Sequence, residues 1–374
     1  MTAAHEPTLR SITTTGPTAA TAARLGWEAG DAVCVLAPDR PVPVLPTTVP
    51  AGVAVVVATS GTTGAPRLVA LTRAGLDASA AMVADALGAR ADDPWLCCLP
   101  LHYVAGLAVV GRAWALGAPV VVHERFDVDA VRAAIVDDAV AYISVVSTAL
   151  MRLLDAEVPV ERLRGILLGG GPINHALVTR ANGRGARVHT TYGMTETWGG
   201  IMHDGLPLSG VEVRLAGPDA NDIEVRTPTV MHGYLGDDTA TRAAFTEDGW
   251  LRTGDIGAWN ADGTLSVIDR RKDVILSGGV TVIPALVDAA LHALPGCRDA
   301  AVVGVADSEW GERVVACVVW DETTPPSLDA LRDALRTSLP AAALPREVRF
   351  VTEIPRSAGG KLLRRALRDA TQIL

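Results

Sequence analysis

Lysine is almost absent from this sequence. Of its 33 basic residues only two are lysines, Lys272 and Lys361, and all the others are arginines. An ammonium group is a compact point charge on a flexible stem, whereas a guanidinium is a planar fork, so the two cannot be exchanged at a tight site. Each lysine is therefore either a chance survivor or a residue whose task needs a point charge, and composition alone leaves both interpretations open.

Several other features are missing, and each absence excludes a class of protein. The net charge is −9 and no basic block occurs, which argues against a nucleic-acid partner. No apolar run approaches the roughly 20 residues of a membrane helix, and the Thr/Ala-rich N-terminus lacks the apolar core of a signal peptide. The five cysteines form no CxxC pair and lie mostly in apolar runs. They are typical of reduced core residues, so we expect a cytoplasmic protein.

The pattern of apolar residues predicts an α/β fold with two domains. A length of 374 residues is sufficient for two or three domains. Strand-like and helix-like segments alternate from about Trp95 to Thr197, which indicates a mostly parallel sheet covered on both faces. From Val211 the pattern alternates as in an antiparallel sheet or a small barrel-like β part. The last 105 or so residues read as an α+β module, so we predict domains 1–268 and 269–374 with the boundary at Asp269.

A glycine- and hydroxyl-rich loop follows the buried strand predicted over residues 53–57. Glycines let backbone amides converge and hydroxyls add donors, a combination suited to phosphate. The loop is not the P-loop of kinases and GTPases, because no Gly-Lys-Ser/Thr follows its second glycine. Taken alone, such a loop is more often a plain turn. The candidate phosphate-binding residues are Thr59, Ser60, Gly61, Thr62, Thr63 and Gly64.

Two further strand ends carry groups suited to a nucleotide. One strand breaks into glycines at Gly169 and Gly170, which would let a flat ring lie close to the backbone. Another delivers Tyr192, Thr195 and Glu196, an aromatic face, a hydroxyl and a carboxylate that suits Mg²⁺. A tight turn and a capped helix start are the simpler alternatives for these two segments.

The apolar helix predicted to end at Gly117 contains a single arginine, Arg112. An arginine in such a segment either extends to the surface or faces an anion, and the surface placement is the more frequent one. His102 and Tyr103 precede this helix. By itself, His102 is more often a packing or hydrogen-bonding residue than a catalyst.

Five short motifs then occur in a fixed order along the chain. Residues 59–66 read Thr-Ser-Gly-Thr-Thr-Gly-Ala-Pro, 192–196 Tyr-Gly-Met-Thr-Glu, 252–255 Arg-Thr-Gly-Asp, 269–273 Asp-Arg-Arg-Lys-Asp and 359–361 Gly-Gly-Lys. In this order they resemble the adenylate-forming superfamily, which includes acyl-CoA synthetases, non-ribosomal adenylation domains and luciferases. The resemblance covers about residue 50 to the end and makes a phosphate-binding loop the favoured interpretation of residues 59–64.

The resemblance implies an ATP- and Mg²⁺-dependent ligase with a small mobile C-terminal domain and CoA as co-substrate. Residues 59–64 would hold the β- and γ-phosphates, and Gly170 and Tyr192 would flank adenine. Thr195 would contact phosphate, and Glu196 would bind the metal. Asp255 and Arg270 would bind ribose, and Lys361 would stabilise charge at the reacting carboxylate and α-phosphate. Gly278, Gly279 and Trp310 would line the path of CoA.

Within the superfamily the chain most resembles the ligases that join o-succinylbenzoate to CoA in menaquinone biosynthesis. The segment before the phosphate loop is short, and Arg112 follows Tyr103 by nine residues, where these ligases place an arginine for the acid's carboxylate. The implied acid-binding residues are Arg112, Tyr103 and Gly193, and His102 is a candidate catalytic residue. Another aryl or short-chain acid is the alternative substrate, and a nucleotide-binding protein without catalysis is a third interpretation. A homodimer stays open.

Two positions depart from the pattern of the superfamily. Arg67 stands where the phosphate loop usually has a lysine, and Tyr103 stands where a histidine is usual, with His102 one position earlier. A positive charge near the loop is retained in the first case. The second leaves the role of His102 open.

Overall fold

The computed structural model describes residues 7–59, 66–217, 221–321, 324–356 and 362–372. Strands and helices make up the first part, and they alternate between Trp95 and Met194, as predicted. In order, they are β1 (Leu9–Ile12), α1 (Gly16–Glu28), β2 (Ala32–Val35), β3 (Val53–Thr59), β4 (Arg67–Thr72), α2 (Arg73–Leu87), β5 (Trp95–Cys97), α3 (Val104–Leu116), β6 (Val120–Val122), α4 (Val128–Val136), β7 (Tyr142–Val145), α5 (Ser147–Asp155), β8 (Gly165–Leu168), α6 (His175–Gly183), β9 (Val188–Met194), β10 (Gly199–His203) and β11 (Leu206–Pro207).

The second part contains more strands than helices. In order, its elements are β12 (Glu212–Ala216), β13 (Asp222–Arg226), β14 (Gly233–Tyr234), α7 (Asp238–Ala244), β15 (Leu251–Trp259), β16 (Leu265–Arg270), β17 (Ile275–Ser277), β18 (Val280–Val282), α8 (Pro284–His292), β19 (Cys297–Asp307), β20 (Gly311–Trp320), α9 (Leu328–Leu335), β21 (Glu347–Phe350) and α10 (Arg364–Gln372). In the described ranges, no helix is long and apolar enough to cross a membrane.

A seven-stranded sheet forms the centre of the first part, in the order β11-β10-β9-β8-β7-β5-β6. Strands β9, β8, β7, β5 and β6 are parallel, whereas β10 and β11 are antiparallel. Their apolar side chains pack with helix residues in one core that includes Ile143, Ile166, Val131 and Leu150. The prediction of a mostly parallel, covered sheet is therefore confirmed.

A second sheet has the order β1-β2-β3-β4-β14. Strands β3 and β4 are antiparallel, and Thr59 is paired with Arg67 across them. The segment that carries the predicted phosphate loop therefore leaves and re-enters this sheet at adjacent positions. Helix α2 starts directly after β4, because the hydroxyl of Thr72 accepts a hydrogen bond from the amide of Gly75 at 3.0 Å.

The C-terminal sheet is buried on both faces. Its strand order is β18-β17-β20-β19, and β21 pairs with β20. Side chains alternate along a strand, so Ala300 and Val302 belong to one core and Ala301 and Val303 to another. Strands β17 and β18 form a hairpin.

The chain divides into two compact units, residues 1–214 with 224–253, and residues 215–223 with 254–374. Strands β12, β13, β15 and β16 form an open four-stranded sheet, which corresponds to the predicted barrel-like part. In the described ranges the edge strands β12 and β16 do not pair with each other, so this sheet is not a closed barrel. The domain boundary at Asp269 concerns a hinge and stays a prediction.

Candidate active site

The predicted nucleotide residues of the first unit lie at neighbouring strand ends. Gly169 and Gly170 directly follow β8, and Tyr192 lies in β9, which is parallel to β8. Thr195 and Glu196 form a short 3₁₀ turn after β9. Since the carboxyl ends of parallel strands meet at one edge of a sheet, the fold brings these residues together where α/β proteins bind ligands.

Gly193 lies in a close approach of two strands. It pairs with Gly200 of β10. A Cβ atom added to Gly193 would lie 1.8 Å from the carbonyl oxygen of Gly199, so a larger residue cannot fit without moving the backbone. This close approach explains why position 193, which is predicted to bind the acid, is a glycine.

The carboxylate of Glu196 is suited to bind Mg²⁺ as its single protein ligand. Its Oε1 accepts a hydrogen bond from the hydroxyl of Tyr234 at 2.9 Å. Among the residues that the structure describes, no group of three or more His, Cys, Asp or Glu side chains could hold a metal. Mg²⁺ is commonly bound by one or two carboxylates together with substrate phosphates, so this donor set fits it.

Several predicted residues lie outside the described ranges. They are Ser60, Gly61, Thr62, Thr63, Gly64 and Lys361. Next to the loop, Arg67 is described. Its guanidinium carbon lies 5.2 Å from the centre of the Tyr234 ring, within the range of a cation–π contact.

Arg112 is buried, which contradicts the surface placement that its apolar segment favours. Only 5% of the residue is exposed, and its guanidinium carbon lies 5.0 Å from the centre of the Trp95 ring. The Nε and Nη1 atoms are buried and find no hydrogen-bond partner in the described part of the chain. Burial lowers the pKa of Arg112 to about 10. A buried cation with unsatisfied donors is costly, and an anionic ligand would satisfy it.

His203 is a further polar residue of this region, and it was not predicted from the sequence. It lies in β10 and is 7% exposed, and its Nδ1 finds no hydrogen-bond partner in the described ranges. Burial first, then the charges of Arg112 and His189, lower the pKa of His203 to about 4. The imidazole is therefore neutral at physiological pH. No sequence motif marks His203. Arg112, whose charge acts on it in the fold, lies 91 positions earlier in the chain.

The lowered pKa of His203 predicts a loss of stability in acid. Its ordinary pKa is 6.5 and its folded pKa about 4, so between these values the unfolded chain binds a proton that the folded chain does not. We expect wild-type protein to lose about 2–3 kcal/mol of unfolding free energy between pH 7 and pH 4.5 that a His203→Gln variant does not lose. Urea unfolding followed by tryptophan fluorescence measures this difference.

The exposed residue His175 provides the control for this prediction. A His175→Gln variant should follow the wild-type dependence on pH. Equal pH dependence of the wild type and His203→Gln would contradict a buried neutral imidazole at position 203.

The rings of His102 and Tyr103 lie side by side, with centroids 4.3 Å apart. The guanidinium of Arg40 donates a hydrogen bond to the hydroxyl of Tyr103 at 2.9 Å, a contact that the sequence does not reveal. Burial first, then the charge of Arg40, lower the pKa of His102. His102 is therefore suited to act as a neutral hydrogen-bonding group.

The second unit contains the predicted ribose pair. Asp255 of β15 and Arg270 of β16 are paired in register, and Arg270 Nε lies 2.7 Å from Asp255 Oδ1. Asp255 is 4% exposed. The carboxylate oxygens of Asp255 could accept the hydrogen bonds of two ribose hydroxyls.

The second unit also brings the predicted CoA residues together. Gly278 and Gly279 form the β17–β18 turn with φ angles of 59° and 78°, which favour glycine. The amide of Gly278 donates a hydrogen bond to the carbonyl of Trp310 at 2.8 Å. The guanidinium carbon of Arg346 lies 3.3 Å from the centre of the Trp310 ring. No sequence motif marks Arg346, which is 36 residues away from Trp310.

The chain matches two protein families. Residues 5–235 match the family of AMP-binding enzymes, and residues 286–361 match the AMP-binding enzyme C-terminal domain. Among curated proteins, a 2-succinylbenzoate–CoA ligase of Bacillus pumilus is 38% identical over 337 residues, which is 84% of this chain and 68% of that protein. A probable 2-succinylbenzoate–CoA ligase of Mycobacterium tuberculosis is 40% identical over 327 residues, 84% of each chain.

A solved relative is the o-succinylbenzoate CoA synthetase of Bacillus subtilis in complex with the acyl-adenylate intermediate OSB-AMP. It is similar with a TM-score of 0.77 at 32% identity, and the match covers 92% of this chain and 76% of that one. The same synthetase in complex with ATP and a magnesium ion matches with a TM-score of 0.76 at 32% identity, over 92% and 77% of the two chains.

Proposed function

Because the chain belongs to the family of AMP-binding enzymes, we infer that it is an AMP-forming ligase that joins o-succinylbenzoate to CoA. It uses ATP and Mg²⁺, as the solved relative does. The product is the CoA thioester required in menaquinone biosynthesis. Identities of 38–40% to 2-succinylbenzoate–CoA ligases support this inference.

The reaction consists of two half-reactions. In the first, a carboxylate oxygen of the succinyl arm attacks the α-phosphorus of ATP, the bond to the bridging oxygen breaks, and pyrophosphate leaves. In the second, the CoA thiol loses its proton and its sulfur attacks the acyl carbon. The acyl–oxygen bond of the adenylate then breaks, and AMP leaves with its phosphate oxygen.

The single observation that carries the choice of acid is the buried, unsatisfied guanidinium of Arg112. We propose that Arg112 binds the unreactive carboxylate of the acid, which is the benzoate carboxylate. Charge-assisted hydrogen bonds to a carboxylate would satisfy its free donors, and the surrounding apolar residues would strengthen them. Tyr103 and Gly193 would lie beside the acid, and His102 would donate or accept a hydrogen bond near it.

On the nucleotide side, residues 59–64 would bind the β- and γ-phosphates, and Thr195 would contact phosphate. Gly169, Gly170 and Tyr192 would hold adenine, and Glu196 would hold Mg²⁺. When bound, the ion neutralises charge on the phosphate oxygens.

The C-terminal domain would serve both half-reactions. We propose that residues 269–374 rotate about Asp269, so that Lys361 serves adenylation and Gly278, Gly279 and Trp310 serve CoA. The carboxylate of Asp269 accepts hydrogen bonds from the amides of Arg270 and Ala285, each at 2.8 Å, which supports a fixed pivot on this domain.

A panel of acids tests the proposed function. The purified chain is mixed with ATP, Mg²⁺, CoA and one acid, and the thioester is detected by mass spectrometry. We expect o-succinylbenzoate to have the highest kcat/KM, well above benzoate and short-chain acids that lack a second carboxylate. A preference for such a monocarboxylic acid would favour the alternative ligase, and pyrophosphate release with any acid would exclude a protein without catalysis.

Two further properties stay proposals. A cytoplasmic location is supported by the five cysteines, all of which are free. A homodimer is the second proposal, and sedimentation of the purified chain tests it.

A further inference from the structure

A buried tyrosine contacts the carboxylate that suits Mg²⁺. Tyr234 is 9% exposed, and its hydroxyl donates a hydrogen bond to Oε1 of Glu196 at 2.9 Å. The phenolic O–H is the donor in this contact and the carboxylate oxygen is the acceptor.

The backbone on both sides of this hydrogen bond is fixed. Tyr234 lies in β14, where it pairs with Val69 of β4, and its amide donates a hydrogen bond to the hydroxyl of Thr241 at 2.9 Å. The amide of Met231 donates to the carbonyl of Glu196 at 2.7 Å. Donor and acceptor thus belong to segments that are themselves joined, so the hydrogen bond has little freedom to shift.

The ring of Tyr234 is also held from the phosphate-loop side. The guanidinium of Arg67 lies over it, with the 5.2 Å separation given above. Arg67 begins β4, at the end of the segment that carries the predicted phosphate loop. The arginine that stands in place of the usual lysine is therefore connected, through one aromatic ring, to the predicted metal ligand.

We propose that Tyr234 is a positioning residue that holds Oε1 of Glu196 and thereby directs Oε2 toward Mg²⁺. This inference rests on the proposed function of Glu196 as the metal ligand. Mg²⁺ demands near-ideal octahedral geometry, and a carboxylate that supplies one oxygen must be oriented by its other contacts. Loss of such an outer contact typically weakens metal affinity by about 10–100-fold.

A Tyr234→Phe variant tests the proposal, because it removes the hydroxyl and keeps the ring. The probe is Mn²⁺ in the presence of α,β-methylene-ATP, which cannot be cleaved to pyrophosphate, and bound Mn²⁺ is measured by electron paramagnetic resonance. We expect the Kd for Mn²⁺ to rise about 10–100-fold. The Mg²⁺ concentration for half-maximal adenylation should rise in parallel, while kcat at saturating Mg²⁺ changes little.

A Tyr142→Phe variant is the matched control. It removes another buried tyrosine hydroxyl of the same unit, one that donates a hydrogen bond to the carbonyl of Leu87 at 3.3 Å. Its Kd for Mn²⁺ should equal that of the wild type. A Tyr234→Phe variant that loses stability but keeps the wild-type Kd would overturn the proposal, since the hydrogen bond would then only join β14 to the turn.

A second comparison tests whether Tyr234 acts through Glu196. In a Glu196→Gln background, Tyr234→Phe should weaken Mn²⁺ binding no further. An equal loss in both backgrounds would overturn the proposal. Wild-type protein that fails to bind the Mn²⁺–nucleotide complex at all would instead overturn the proposed function, so the two failures are distinguishable.

Discussion

Replacement of Lys361 by alanine is expected to slow acyl-adenylate formation by about 10²–10³-fold, while transfer from added adenylate to CoA stays within about threefold of wild type. The ammonium would lie between the carboxylate and the α-phosphate and stabilise charge that develops as the new bond forms. The thiol step needs no such contact. Pyrophosphate release measures the first half-reaction, and thioester formation from synthetic o-succinylbenzoyl-AMP measures the second.

Two further variants sharpen this experiment. Arg365→Ala removes a positive charge four positions later, from an exposed side chain, and should leave both half-reactions unchanged. Lys361→Arg tests the need for a point charge, and we expect it to recover little of the lost rate. Equal loss of both half-reactions in Lys361→Ala would contradict a domain that rotates between two working positions.

Replacement of Arg112 by methionine is expected to raise the KM for o-succinylbenzoate roughly 30- to 5000-fold. This range corresponds to about 2–5 kcal/mol for removing one partner of a buried, hydrogen-bonded charge pair. Methionine keeps most of the apolar volume of the side chain, so the core around Trp95 is preserved. Steady-state kinetics with varied acid at saturating ATP measures the change.

The substrates themselves provide the control for Arg112→Met. The KM for ATP should stay at its wild-type value, and an analogue of the acid without the benzoate carboxylate should bind the variant and the wild type with similar affinity. If Arg112→Met weakened binding of that analogue as much as binding of the full acid, Arg112 would have a structural role and no contact with the carboxylate.

The sequence predicts the family, the reaction and most of the fold, because each depends on local signals. The Thr72 cap, the end of α3 at Gly117 and the Gly278–Gly279 hairpin follow from capping and turn preferences of single residues. The ordered motifs are equally local, and the family, the cofactors ATP and Mg²⁺ and the ligase activity they imply are confirmed.

The parts of the site that the sequence does not predict depend on contacts between residues that are distant in the chain. An arginine in an apolar helix is compatible with a surface or a buried position, and only the packing of α3 decides that Arg112 is buried. His203 and Tyr234 carry no motif. The partner of Tyr234, Glu196, lies 38 positions earlier, and Arg67 lies on a different strand. Such contacts follow from strand order, which local patterns do not specify.

The contact between Arg112 and Trp95 has an optical consequence. Trp95 is fully buried, and its indole ring experiences the field of the guanidinium 5.0 Å away. A carboxylate that pairs with this cation would largely cancel that field and shift the emission of the ring. The enzyme would then carry an intrinsic fluorophore that reports occupancy of its acid-binding site in a rapid-mixing experiment, with no label attached.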